Sequence, residues 1–182
     1  MSAIDNMMKV DPKELKRLMD GALTIKNLPY SNLQKFYILK EVVDSVAALI
    51  APATPCKDKC SYCCYMAVCV TDLEAELIGE RVGRTPIPQP KLRSPKAIKR
   101  KHDLMLRKYT LKPCPFLKDE SCNIYDVRPI ACRQHHNLDD TNHCCDIRHK
   151  QNTPQLDLWP IDQAYVDISM DMAWADMRDY FP

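Results

Sequence analysis

Cys56-Lys-Asp-Lys-Cys60-Ser-Tyr-Cys63-Cys64, followed by Cys69, packs five of the chain's ten cysteines into fourteen residues. The other five, Cys114, Cys122, Cys132, Cys144 and Cys145, form a second block about fifty residues later. A chain with two such blocks folds so as to bring distant thiols together, around metal or as disulfides. Compartment separates these outcomes. Residues Met1 to Lys9 show no basic-then-apolar layout and no small-residue cleavage pattern, which predicts no secretion signal. No apolar run approaches the roughly 18–20 residues that span a bilayer, so no membrane segment is expected. The expected location is cytoplasmic and reducing, where stable disulfides are rare. The tight Cys-x3-Cys-x2-Cys-Cys spacing is also hard to bridge. Metal ligation by cysteine is the reading favoured by both considerations.

Only three glycines stand against fourteen prolines, so no glycine-rich phosphate loop or dinucleotide fingerprint is present. The 182 residues and ordinary charge content predict one globular domain, and the helical spacings and cysteine blocks make it helix-rich, mainly α, with irregular metal-pinned segments. Its expected parts are an N-terminal helical arm (1–51), a cysteine-cluster region (52–150) and a C-terminal helix packing on that region (151–182).

Local signals place the helices. Asp11, Pro12 and Glu14 read as cap, first-turn proline and acid, with Leu15, Leu18, Met19 and Ala22 at helical spacing. Ser31 with Gln34 starts a second helix with Phe36, Leu39, Val43, Val46 and Ile50 on its core face, stopped by Pro52 and Pro55. Thr71 and Glu74 make another capping box, with Leu73, Leu77, Ile78 and Val82 as the expected buried stripe and Gly83 as its end. Residues 85–90 are a stiff proline-rich spacer. Ser94-Pro95 opens a helix to about Tyr109 with Ile98, His102, Met105 and Tyr109 on one side. A last helix starts near Pro160 and carries Ile161, Tyr165, Ile168 and Met172.

Residues 113–150 hold eight large apolar side chains in thirty-eight positions. That is too few to offset the ordering of their own backbone, about 1–2 kcal/mol per residue. Thiolate-bound structural zinc contributes about 10–16 kcal/mol in small domains, so metal is expected to hold this stretch.

Cys60-x2-Cys63 is a chelating turn whose sulfurs can reach one tetrahedral ion at about 2.3 Å. Adjacent Cys63 and Cys64 are harder to place on the same ion. Two four-cysteine sites, or one four-cysteine iron–sulfur cluster plus a further thiol group, both satisfy the count. At these residues the chain resembles the YkgJ-type cysteine-cluster family of zinc- or iron-chelating domains. The resemblance covers about half the chain: Cys56-x3-Cys60-x2-Cys63-Cys64, Val70-Thr71-x2-Glu74-Ala75, Cys114-Pro-Phe-Leu117, Cys122-x-Ile124-Tyr125-x2-Arg128-Pro129-x2-Cys132-Arg133, and the Asn137-Leu138-Asp139 to Cys144 tail. It implies metal ligation by Cys56, Cys60, Cys63, Cys64, Cys114, Cys122, Cys132 and Cys144, and leaves Cys69 and Cys145 outside the pattern. It implies no single activity. Flagellin lysine N-methylases look similar at the cysteine cluster, which raises the alternative of an enzyme modifying a protein or peptide. The first three cysteines are also similar to the radical S-adenosylmethionine cluster motif, whose glycine-rich βα barrel disagrees with three glycines and a helical pattern.

Four further features invite a role. Arg128 and Arg133 flank Cys132, placed to offset thiolate charge, to grip an anion or to form surface ion pairs. Tyr125 reads as a donor to sulfur or as a core ring. His135, His136, His143 and His149 lie near the second cysteine block, as loop residues or as metal ligands, His143 first among the latter. Residues 91–112 carry nine cations (Lys91, Arg93, Lys96, Lys99, Arg100, Lys101, Arg107, Lys108, Lys112) against Asp103 alone, a net +8. That run suits nucleic-acid phosphates, or is a solvated face, or one that pairs with the acids Asp157, Asp162, Asp167, Asp171, Asp176 and Asp179 of its own or a neighbouring chain. The leading expectation is a metal-chelating protein of structural or interaction type, with zinc placed ahead of iron or a [4Fe-4S] cluster. A protein partner is compatible with it, and a nucleic-acid module is the third reading.

Overall fold

The computed structural model describes residues 3–57, 59–149 and 152–182, without the side chain of the candidate His149. Eight α-helices occur among these residues: α1 Ala3–Met7, α2 Pro12–Thr24, α3 Asn32–Ile50, α4 Asp72–Val82, α5 Pro95–Tyr109, α6 Ile130–Gln134, α7 Trp159–Ser169 and α8 Met177–Tyr180. Four short strands join them: β1 Cys69–Thr71, β2 Leu117–Lys118, β3 Ser121–Cys122 and β4 Trp174–Asp176. The protein is mainly α, as its periodicity predicts. No helix among the described residues is long and apolar enough to cross a membrane. The chain divides into two compact units, one of residues 1–56 and 133–170, the other of residues 57–132 and 171–182.

In the first unit, Asp11 accepts from the amides of Lys13 and Glu14 and starts α2. Ser31 and Gln34 cap each other's backbone and start α3. These are i to i+3 interactions that need no tertiary contact. Helices α2, α3 and α7 pack against one another in pairs. The expected face of α3, Phe36, Leu39, Val43, Val46 and Ile50, is buried along its whole length, together with Leu18 and Ala22 of α2 and Ile161, Ala164 and Ile168 of α7. The larger of these, Val, Leu, Ile and Phe, each contribute about 1.5–3 kcal/mol on leaving water. Helix α7 ends at Ser169, so Met172 lies beyond it.

In the second unit, β1 and β4 form an antiparallel ribbon in the register Cys69↔Asp176, Val70↔Ala175 and Thr71↔Trp174. The ribbon and residues 177–181 close a core of Val70, Ala75, Ile78, Phe116, Ile124, Ala175, Met177, Tyr180 and Phe181. Phe116 and Phe181 meet edge to face at 5.1 Å. This arrangement buries only part of the expected stripe of α4, with Ile78 in the core and Val82 packed against it. Glu74, Ala75, Ile78 and Gly79 are buried, whereas Leu73, Leu77 and Val82 are half-buried. The Thr71–Glu74 capping box forms as expected, and Gly83 ends the helix at φ 68°. Gly79 is needed for a different reason: a Cβ there would collide with the Arg84 carbonyl oxygen and stand 3.0 Å from Pro86 Cδ. On α5, Met105 and Tyr109 are buried, but Ile98 and His102 face water. Lys101 turns inward instead, donating to the Trp174 carbonyl and lying 5.0 Å over the Trp174 ring.

The poverty of residues 113–150 in apolar side chains is offset by borrowing. Phe116 and Ile124 join a core supplied mostly by α4 and residues 175–181, and Leu138 is buried in the first unit.

Candidate metal centre

The ten cysteines are thiols rather than disulfides. Five of them are brought into one another's electrostatic reach in the second unit: Cys63, Cys64, Cys114, Cys122 and Cys132. They arrive on four separate pieces of chain. Cys63 and Cys64 sit in a 3-10 turn, Tyr62–Tyr65. Cys114 follows α5, and its amide donates to the Cys64 carbonyl at 2.7 Å. Next to it, the Leu111 amide donates to the Tyr65 carbonyl at 2.8 Å. These two bonds fasten the first cysteine block to the second. Cys122 is carried opposite Leu117 by the β2–β3 hairpin. The hairpin's two-residue loop, Asp119–Glu120, has positive φ at both positions, 49° and 62°. Such a loop is usually marked by Asn-Gly or Asp-Gly, and this sequence lacks that mark. Cys132 enters on α6, whose first amide, Ile130 N, donates to Glu74 Oε1 at 2.9 Å.

Glu74 is therefore more than a helix cap. Its other oxygen accepts from the Thr71 amide and hydroxyl, both at 3.0 Å, and the residue is 2% exposed. One buried carboxylate fixes the starts of both α4 and α6. A second buried device fixes the loops. Arg178 donates through Nη1 to Asp176 Oδ1 at 2.8 Å. Its Nη2 reaches the carbonyls of Cys64 (3.3 Å), Met66 (3.2 Å) and Lys112 (2.5 Å), and its Nε that of Pro113 at 3.0 Å. Asp176 is fully buried and also accepts from the Val68 amide at 2.8 Å. The residues bearing Cys63, Cys64 and Cys114 thus hang from one guanidinium.

Neither Arg178 nor Asp176 emerged as a site residue from the sequence, where Asp176 counted only as one of several C-terminal acids. The available signal was an Asp and an Arg two apart inside Ala173-Trp-Ala-Asp-Met-Arg-Asp-Tyr-Phe181. Charges embedded in an apolar run are buried in pairs when they are buried at all.

The electrostatics follow from crowding sulfur away from water. Cys63 is drawn down to about 7, chiefly by the hydrogen bond from the Cys64 thiol, against burial and with help from nearby Arg128. Cys64 is pushed up by serving as that donor, then by burial and by Cys63, Cys114 and Cys122. Burial pushes up Cys114 and Cys122, while the Phe116 and Ile124 amides donate to their sulfurs. Cys132 is raised well above the ordinary thiol value by burial and then by its three sulfur neighbours. Buried thiols that raise one another in this way need a positive centre before several can ionise together. The amides of Phe116 and Ile124 on Cys114 and Cys122, and those of residues 63 and 64 on Cys63, suit thiolates. The donor set is therefore chemically apt for a thiophilic ion such as zinc or iron. As the side chains lie, no group of three or more His, Cys, Asp or Glu among the described residues is arranged to hold a metal ion. The sulfurs are gathered but not closed on a common centre.

The remaining candidates have the following surroundings. Cys60 is half-buried in the second unit, its amide bonded to the Lys57 carbonyl at 3.0 Å. Cys56 is exposed in the first unit. Cys144 is buried in the first unit, where its thiol donates to Asn137 Oδ1 at 3.2 Å. Cys69 is pushed up to about 12 by burial and by Glu74. Cys145 is buried. His136 uses both ring nitrogens structurally: Nδ1 donates to the Gln134 carbonyl at 2.7 Å, and Nε2 accepts from the Leu156 amide at 2.8 Å. His135 Nδ1 lies 3.2 Å from Gln155 Nε2, and His143 is exposed. Arg133 pairs with Asp44 in the first unit, so of the two arginines flanking Cys132 it is Arg128 that acts on the sulfurs, alongside Arg178. Tyr125 is neither core nor sulfur donor: it is 63% exposed, with the Arg128 guanidinium 4.1 Å over its ring. The chain matches no protein-family model, no curated protein and no solved structure.

Proposed function

We propose that the protein is a metal-binding protein whose centre is built on Cys63, Cys64, Cys114, Cys122 and Cys132, with a structural or interaction role. The observation that supports this most directly is the convergence of five thiols from four separate segments, three of them receiving backbone amides. The sequence resemblance to YkgJ-type cysteine-cluster proteins agrees with it. Cys60, one chelating turn before Cys63, is the sixth candidate. Zinc is the preferred ion: it is tetrahedral, redox-silent and well served by thiolate. When bound, it supplies the positive charge that lets the buried thiols ionise. The protein's own groups supply Arg128 to balance surplus thiolate charge and the Arg178–Asp176 and Glu74 anchors to hold the sulfur-bearing loops. Ten thiols without a disulfide support a reducing, cytoplasmic location.

The test is elemental analysis and absorption spectroscopy on anaerobically purified protein. A colourless protein with stoichiometric zinc, lost when Cys114 and Cys122 are both changed to Ser, is the expected result. Broad absorption near 400 nm with iron and sulfide in place of zinc would move the reading to an iron–sulfur centre and to the enzyme alternative. Protein that is fully reduced, metal-free, and takes up neither zinc nor iron with sulfide would refute metal binding.

A further inference from the structure

The basic run at 91–112 takes on new meaning once its partners are known. Within its own unit, the C-terminal acids neutralise little of it. Among the described residues, Asp179 is the one such acid that pairs with it, accepting from Lys108 at 2.9 Å and from the Tyr109 hydroxyl. Asp162 instead accepts from Gln134, Asp167 pairs with Lys26, and Asp176 with Arg178. Lys101 is turned inward, and Lys99 is held by Asp103 at 3.0 Å on the helix surface. Lys96, Arg100 and Arg107 form no hydrogen bond or salt bridge among the described residues, and all three are exposed. At about 100° per residue these three lie within a stripe about 40° wide, running about 16 Å along α5. Lys96, Lys99, Arg100, Asp103, Leu104 and Arg107 line one open hollow on this face. Lys91 and Arg93, both exposed, extend the charge beyond the helix start.

We infer that this face of α5 is a docking surface for the phosphate backbone of duplex nucleic acid, bound without regard to sequence. Charge complementarity supplies the attraction, since a row of unpaired cations releases counterions from a polyanion when it docks. Other anionic partners fit the face less well. Single strands are gripped by aromatic platforms on which bases stack, and the aromatic ring on α5, Tyr109, is buried. A membrane surface would be met by an apolar band beside the cations. Here Leu104 and Leu106 lie on opposite flanks of the charged row and Ile98 points to the far side of the helix. An acidic protein surface would be anchored by aromatic or arginine hot spots in a packed apolar centre, and the arginines of this row, Arg100 and Arg107, are exposed and have no such centre around them. Phosphate contacts alone position a protein on a duplex and carry no sequence information.

The test is fluorescence anisotropy of a mixed-sequence 24-base-pair DNA with the full chain, from 50 to 200 mM salt. Contacts through Lys96, Arg100 and Arg107 predict a log–log salt slope of about −2.7. Lys96→Glu, Arg100→Glu and Arg107→Glu together should weaken binding at least tenfold at 50 mM salt, with an unchanged far-UV spectrum. Arg100→Gln alone should lower the slope by about 1. Absence of duplex binding at 50 mM salt, or binding that survives the triple variant, would overturn the proposal. Tighter binding to a 24-nucleotide single strand, or to vesicles with one-third anionic lipid, would overturn it as well. The thiol centre plays no part in this surface, so either proposal can fail alone.

Discussion

Replacing Arg178 with Ala removes the donor that holds the loops of Cys63, Cys64 and Cys114 in place. The guanidinium is buried against Asp176, itself fully buried. After the substitution, the Asp176 carboxylate keeps the amides of Val68 and Arg178 as donors but has lost its countercharge. Removing one partner of a buried ion pair costs about 3–5 kcal/mol. The carbonyls of Cys64, Met66, Lys112 and Pro113 also lose a donor, partly replaced by water entering the vacated space. A loss of about 4 kcal/mol is a large part of the 5–15 kcal/mol typical of a folded domain. Each unit contains one tryptophan, Trp159 in the first and Trp174 in the second, so Trp174 fluorescence in a Trp159→Phe background follows the second unit through urea unfolding. The midpoint should fall by about 2 M at an ordinary urea slope, and aromatic disulfide reagents should label the cysteines faster before unfolding. Arg178→Lys keeps the charge with fewer donors and should lose less. If the Ala variant unfolds within 1 kcal/mol of wild type with unchanged thiol labelling, the clamp is not what organises these loops.

Other consequences are open to measurement. Glu74→Ala strips a buried acceptor from the starts of α4 and α6 and should cost about 2–3 kcal/mol, with Cys132 labelled faster; equal labelling would argue against the link to α6. Gly79→Ala forces the Arg84 carbonyl aside and should destabilise by about 1–3 kcal/mol; a neutral result in thermal melts would mean the 84–86 turn yields freely. His135 and His136 are both held below their ordinary value of 6.5, by burial first. The unfolded chain then binds protons more readily, so their contribution is complete above about pH 6.5 and declines as pH falls toward the folded-state values. Melting of the first unit from pH 7.5 to 5 should show this decline, and His136→Gln should flatten it; an unchanged slope would rule out His136 as its source.

Much of this protein was written locally. Asp11, the Ser31–Gln34 and Thr71–Glu74 boxes, and Gly83 fixed helix ends because caps act across three or four residues of one chain segment. The core face of α3 followed from spacing alone, since a helix with one apolar side has one way to bury it. The crowding of cysteine into two blocks likewise announced that thiols would be assembled.

Which thiols meet was settled by tertiary structure. Cys114, Cys122 and Cys132 reach Cys63 and Cys64 because a left-handed Asp119–Glu120 turn, a carboxylate fifty-six residues from Ile130 and an arginine near the C-terminus hold their backbones there. None of these acts through sequence neighbours. The same holds for α4, whose buried face was shaped by the C-terminal ribbon, and for α5, where Asp179 takes Lys108 and the Trp174 carbonyl takes Lys101 while Lys96, Arg100 and Arg107 stay unpaired among the described residues. Pairings between remote segments depend on which surfaces remain to be covered once the local elements exist. Spacing along the chain carries little trace of that competition.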